Sequence, residues 1–287
     1  MKILITGASG KIGRHIVNFF LKKKYFCYLN SRKKIYINTS QKNYSNLRKD
    51  ILSNSFKIPD CEAIIHTAAI TPEKKNLKKV KLNRIIDKKI FNEIKKNKRL
   101  KKLIFISTAS VYDKNNYKKQ VNESSKRLAN SEYSKYKLES EKMFLSNKKI
   151  KTYNIRIPGL LLTGNETNFL SNLVENIKNK KKLTLYNSDQ MFNNLLLIQN
   201  LNLFIENLLI NKFKSGTILL GSTNPLKLYE ITKMISNYFK VKNYINWRID
   251  KKMGFYLNIN NALGNYNFSS INTQKGILEY LKKSYRK

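Results

Sequence analysis

Lys2-Ile3-Leu4-Ile5-Thr6-Gly7-Ala8-Ser9-Gly10-Lys11-Ile12-Gly13 opens this chain of 287 residues, and its reading decides the fold. The first five residues are an apolar run with β-branched members, which predicts a buried strand. They pass directly into a glycine-rich turn, after which Ile12, Ile16, Phe19 and Phe20 recur at helical spacing. Strand, glycine turn and helix in that order is the context in which a glycine pattern carries meaning. Gly7 permits the tight turn, Gly10 lets backbone approach a pyrophosphate, and Gly13 lets the helix pack closely on the strand. The helix start at Lys11 and Ile12 offers free N–H groups and a favourable dipole to phosphates, with Ser9 beside them in the turn. The spacing Gly-x-x-Gly-x-x-Gly is one residue longer in its first gap than the common dinucleotide fingerprint. Out of context it would read as an ordinary turn.

A second stretch, Tyr133-Ser134-Lys135-Tyr136-Lys137, opens another helical segment, with Leu138, Met143 and Phe144 as apolar contacts. Four-residue spacing puts Tyr133 and Lys137 one above the other on one face. A phenol is a poor base near neutrality, and an ammonium beside it favours the phenolate, so such a pair suits acid–base work. Any lysine-rich helix can hold Tyr-x-x-x-Lys by accident. Its weight here comes from its place, 25 residues after Thr108 in the turn Ser107-Thr108-Ala109-Ser110-Val111-Tyr112. That turn follows the strand-like Leu103-Ile104-Phe105-Ile106, and alone it would be a plain Ser/Thr strand ending.

Glycine loop, Thr108 turn and Tyr133/Lys137 pair together resemble the extended short-chain dehydrogenase/reductase family, the NAD-dependent epimerases and dehydratases. The resemblance covers nearly the whole chain. It implies an α/β fold, a doubly wound parallel (Rossmann) sheet over residues 1–157. A small C-terminal substrate lobe over 158–287 follows, interleaved with returning sheet elements at about 184–220. It also implies roles: Tyr133 transfers the hydroxyl proton, Thr108 positions the substrate oxygen, and Lys137 supports both the tyrosine and the nicotinamide ribose.

Further positions can be placed against the family pattern in chain order. Tyr25 to Leu29 reads as the second strand, and the position that tests the adenosine ribose is Ser31, 18 residues beyond Gly13. An acid there accepts bonds from the 2′-hydroxyl of NAD, whereas a basic residue accommodates the extra phosphate of NADP. Ser31 offers no carboxylate and Arg32 follows it, so NADP is expected over NAD. Asp50-Ile51 resembles the acidic-apolar pair at the adenine edge. Ala63 to Ala69 reads as a fourth strand, whose small residues Ala68 and Ala69 permit close cofactor approach. His66 lies within it and is expected in the core. With His15 the sole other histidine, no metal site is expected. Asn83 falls where the family carries a structural asparagine near the active site, and it is counted among the cofactor contacts. Thr152 to Ile157 reads as the sixth strand, after which Pro158 begins the segment that passes the nicotinamide in relatives. Two departures stand out. Asp113 replaces the glycine usual after Val111-Tyr112, and Gln199-Asn200 replace aspartates, with Asn200 expected to cap a helix.

Net charge is +39, carried by 57 Lys and Arg against 18 Asp and Glu. Clustered base suggests a polyanion partner. Here, however, 48 Lys are matched by 38 Asn, both with A/T-rich codons, and the excess is spread along the chain. In its densest stretch, Lys74 to Lys102, the residues Leu77, Val80, Ile86, Ile90 and Ile94 keep helical spacing, so the lysines read as a solvated face over a core stripe. No specific nucleic-acid partner is expected. The apolar stretches fall short of membrane-spanning length and the first strand begins at residue 2, so a cytoplasmic protein without a membrane partner is expected. Cys27 and Cys61 lack metal or disulfide-framework spacing and read as reduced core residues.

The activity implied is reversible hydride transfer at a carbinol carbon of a nucleotide sugar or a related small polar substrate. Dehydratases of the family carry Asp-Glu after the catalytic threonine, where this chain has Ala109-Ser110, which speaks against dehydration. An epimerase is the first expectation and an NADPH-dependent reductase the second. A catalytically silent NADP-binding sensor is the non-enzymatic alternative, and a homodimer is the assembly left open.

Overall fold

A computed structural model of the chain describes residues 1–35, 37, 40–72, 74–112, 120–162, 168–242, 245–250 and 254–285. Seven strands form the central sheet: β1 (Lys2–Thr6), β2 (Phe26–Asn30), β3 (Tyr44–Leu47), β4 (Ala63–His66), β5 (Lys102–Thr108), β6 (Lys151–Ile157) and β7 (Gly216–Leu219). The α-helices among the described residues are α1 (Lys11–Lys22), α2 (Leu82–Lys96), α3 (Glu132–Ser146), α4 (Phe169–Lys178), α5 (Ile198–Ile210), α6 (Leu228–Phe239), α7 (Asn260–Tyr266) and α8 (Thr273–Ser284).

Spatial order in the sheet is β7-β6-β5-β4-β1-β2-β3. β1 pairs in parallel with β2 on one side and β4 on the other, so Thr6 stands opposite both Asn30 and His66. The chain therefore runs outward one way through β2 and β3, then returns to run outward the other way from β4. This reversal at β1 is the switch point where doubly wound sheets open a crevice beyond their carboxyl ends. Ile3, Leu4 and Ile5 are fully buried, as strands covered on both faces must be. Over β1, α1 buries Ile16, Val17, Phe20 and Leu21 in a helical stripe. Each such side chain contributes about 1.5–3 kcal/mol on burial. A cluster of Leu4, Ile64, Ile90, Ile94, Phe105 and Phe144 joins the sheet to α2 and α3.

Two compact units result: Met1–Val111 with Ala129–Arg156 and Asn202–Ile218, and Tyr112–Leu128 with Ile157–Leu201 and Leu219–Lys287. Segment Tyr112–Leu128 thus leaves the sheet unit that the sequence assigns it to. Its Gln120–Val121 pairs with Tyr256–Leu257, and Glu123 accepts the Leu219 N–H at 2.8 Å, so its bonds are made within the second unit. That unit is centred on Leu170, Val174, Leu195, Ile231, Ile277 and Tyr280. Buried Asn193 ties its chain together, donating to the Ser222 and Leu257 carbonyls and accepting the Leu257 N–H. Two sequence expectations shift, the end of β4 and the place of Asn200. β4 stops at His66, because Thr67 onward turns into a loop. Helix α6 begins at Leu228 because Leu226–Lys227 pair with Met191–Phe192. Asn200 lies inside α5 and donates to the Ser269 carbonyl instead of capping. No helix among the described residues is long and apolar enough to cross a membrane.

Candidate active site

The glycine loop is built by contact. Gly7 holds φ +68, a conformation that favours glycine, and a Cβ there would lie 2.7 Å from the backbone of Ala68. A Cβ on Gly13 would lie 2.2 Å from the Gly7 carbonyl oxygen, so helix and turn touch where only hydrogen fits. Gly10 is the N-cap of α1, donating its own N–H to the Gly7 carbonyl at 2.8 Å. It brings no capping side chain, and the first turn carries no acid. The N–H groups of Lys11 and Ile12 are thereby offered to an anion.

Beyond this loop lies a cavity of about 620 Å³, within the size range of ligand clefts. Gly7, Ser9, Gly10, Ser31, Arg32, Asp50 and Ile51 line it, as do Ala68 and Ala69. Ser31 is 5% exposed, and its hydroxyl lies 2.6 Å from that of Ser9, joining the end of β2 to the glycine loop. Arg32 extends an exposed guanidinium whose Nη1 stands 3.8 Å from Asp50 Oδ2. Asp50 also accepts the Leu52 N–H at 2.9 Å, and Ile51 packs into the core beneath. The residues present fit a dinucleotide: a cradle closed to any Cβ, an uncapped helix start and a basic rim.

Asn83 is engaged by the protein's own backbone. Its carboxamide accepts the Ile70 N–H at 2.7 Å and donates to the Ile70 carbonyl at 2.9 Å. At 2% exposure it shapes the cavity wall by clamping the loop at Ile70. His66 is a core residue, as expected: it is fully buried, with Nδ1 2.6 Å from Thr6 Oγ1 and Nε2 2.8 Å from Asp87 Oδ1. Ser140 of α3 donates to the other Asp87 oxygen at 2.6 Å. Among the described residues, no group of three or more His, Cys, Asp or Glu is placed to hold a metal ion. Asp113 lies outside the described residues. Pro158 follows β6 in the second unit.

Thr108 ends β5, and its hydroxyl accepts the Ser110 N–H at 3.1 Å. Ser110 Oγ lies 3.0 Å from Ser134 Oγ, which in turn lies 2.9 Å from Ser131 Oγ. Ser131 is the N-cap of α3 and accepts the Ser134 N–H. A chain of hydroxyls thus joins the Thr108 turn to the first turn of the helix that carries Tyr133. The sequence contains the signal, a serine ahead of a helix, but not the pairing of Ser110 with Ser134. Tyr133 is half-buried, and Lys137 is 2% exposed on the same face. The Lys137 ammonium stands 5.8 Å from the Tyr133 ring centroid and 4.3 Å from that of Phe105, and it donates to the Ile106 carbonyl at 2.9 Å.

A model of the NAD-dependent epimerase/dehydratase family matches residues 3–193. The chain belongs to this family. Among members of the NAD-dependent epimerase/dehydratase family, it is 25% identical over 272 residues to a dTDP-D-glucose 4,6-dehydratase of Dictyostelium discoideum. That match covers 82% of this chain and 62% of the relative, so the chain spans less than two thirds of the relative's length. It superposes on a UDP-glucuronic acid 4-epimerase of Bacillus cereus, in complex with UDP-glucuronic acid and NAD, with a TM-score of 0.80 at 21% identity. This superposition covers 99% of this chain and 100% of that one. A UDP-N-acetylglucosamine 4-epimerase of Methanobrevibacter ruminantium M1, in complex with UDP-N-acetylmuramic acid, superposes with a TM-score of 0.80 at 17% identity, covering 98% and 97%. At such identities the structural likeness speaks for the fold.

Proposed function

We propose that this protein is an NAD(P)-dependent epimerase of a nucleotide sugar. The observation that carries the reading is the Tyr133–Lys137 column beside the Thr108 turn, in the same unit as the glycine cradle. A nicotinamide dinucleotide supplies the acceptor and donor of hydride when bound. Gly7, Gly10 and the start of α1 would hold its pyrophosphate, and Ser31 and Arg32 would meet its adenosine ribose. The chain's own chemistry is proton transfer: the deprotonated Tyr133 oxygen takes the proton from a sugar hydroxyl as hydride leaves the same carbon, and the phenol so formed returns it when hydride comes back. Thr108 holds that oxygen, and Lys137, one turn along the same face, reaches the ribose. The relatives' complexes with UDP sugars support a nucleotide sugar as the substrate class.

One observation favours a second reading. Arg32 on the cavity rim, with a serine in place of the acid at 31, suits the 2′-phosphate of NADP, and a reductase draws on exchangeable NADPH. The test is turnover against UDP-glucuronic acid, UDP-N-acetylglucosamine and a keto nucleotide sugar, which offers the carbonyl a reductase needs, with each cofactor in turn. Interconversion of two epimers without net cofactor consumption supports the epimerase, and stoichiometric NADPH oxidation supports the reductase. Cofactor binding without transfer to any of these sugars contradicts both.

A further inference from the structure

We propose that Glu141 is the positioning residue of the catalytic turn, fixing Ser107, and with it Thr108, against the helix that carries Tyr133. The proposal rests on the reading of Thr108 and Tyr133 given above. Tyr133, Lys137 and Glu141 follow one another at four-residue spacing and so form one column along α3. Glu141 is 3% exposed, Arg156 1% and Ser107 2%. The Glu141 carboxylate accepts from Arg156 Nε at 3.0 Å and Nη2 at 2.7 Å, a two-pronged grip, and also from the Ser107 hydroxyl. Asn154 of β6 donates to the Glu141 backbone carbonyl at 3.1 Å. Three elements of the first unit, β5, α3 and β6, are thereby tied at one buried carboxylate.

Stability alone does not account for this arrangement. Desolvating an ion pair largely cancels its attraction, and apolar side chains of similar volume fill such a space at no loss. What the forked pair adds is a fixed distance and angle, which apolar contact does not supply. Lys137 makes a second tie one helical turn away, to the carbonyl of Ile106. Residues 106 and 107 are therefore both bonded to α3, and Thr108 is the next residue of the strand. The hydroxyl of Thr108 and the phenol of Tyr133 are held as parts of one body.

Ser107→Ala tests the role, because it removes the bond from carboxylate to turn and leaves the Glu141–Arg156 pair intact. Single-turnover hydride transfer with UDP-glucuronic acid or UDP-N-acetylglucosamine should slow roughly 10- to 100-fold, as small misplacements of reacting groups do. Affinity for NADH and NADPH should stay at native values, melting temperature should fall by no more than the few degrees one buried hydrogen bond is worth, and Ser107→Thr, which keeps the hydroxyl, should restore most of the rate. Ser107→Ala at the native rate would overturn the proposal. So would a rate loss matched by an equal loss of cofactor affinity, or one that Ser107→Thr fails to restore. Tyr133→Phe in the same assay separates two failures. If it also transfers hydride at the native rate, the proton-transfer reading falls; if it is slow while Ser107→Ala is native, the positioning role alone falls. A native protein that transfers hydride with no nucleotide sugar overturns both.

Discussion

Arg32 and its neighbour Asp50 face each other across 3.8 Å at the cavity rim, both largely exposed. An exposed pair of this kind holds its partners weakly, so the guanidinium remains able to meet a 2′-phosphate. NADPH is therefore predicted to bind more tightly than NADH in a fluorescence titration, and Arg32→Ala should narrow the gap; equal affinities in the native protein would contradict this. The two cysteines make a different prediction. Burial pushes the Cys27 and Cys61 thiols up to about 12 from 9.0. Above pH 9 the unfolded chain releases thiol protons that the folded chain retains, so the unfolded state binds fewer protons and stability falls. The urea midpoint should decline between pH 9 and pH 12, and a Cys27→Ala/Cys61→Ala variant should decline less steeply. An identical slope in both proteins would count against the burial argument. Both cysteines were legible as core residues because strand-like surroundings announce burial. Asn83 was not, since nothing local tells an asparagine that clamps a loop from one that faces a ligand.

At the scale of elements, periodicity located β1, β2, β4, β5 and β6 with α1, α2 and α3, though not β3 (Tyr44–Leu47), and the glycine pattern located the crevice at its switch point. What sequence could not supply was partnership across the chain. Ser131 announces a helix start, but its continuation through Ser134 to Ser110 depends on how α3 docks beside β5. The same holds for Lys102, whose ammonium donates to the Leu208, Leu209 and Asn211 carbonyls at the end of α5, more than a hundred residues away. Segment Tyr112–Leu128 was misassigned for this reason too, because its strand partner lies at Tyr256–Leu257. Asn83 gives the element-scale prediction. Asn83→Ala leaves the Ile70 N–H and carbonyl without their partner, which costs about 1–3 kcal/mol. Urea unfolding should show that loss, and cofactor affinity should fall with it as the wall beside Ala68 and Ala69 loosens. Native stability with native affinity would contradict the clamp.

For the molecule as a whole, the charge of +39 and the activity call for separate tests. Charge spread without a nucleic-acid motif binds polyanions through counterion release alone. Association with DNA or RNA should be weak, indifferent to sequence and lost at moderate salt, as a filter-binding salt series would show. Sequence-selective binding at physiological salt would contradict the codon-bias explanation. The activity stands on one group. Tyr133→Phe removes a single hydroxyl and should keep the fold and the affinity for NADH and NADPH. Lys137→Met should damage affinity and turnover together, and Thr108→Val chiefly turnover. The most direct measurement is single-turnover hydride transfer by Tyr133→Phe, followed at the nicotinamide absorbance beside an independent cofactor titration. A proton-transfer role for Tyr133 predicts a rate lower by roughly two to four orders of magnitude at unchanged cofactor affinity, the range of positioned acid–base catalysis. Transfer at the native rate would contradict it.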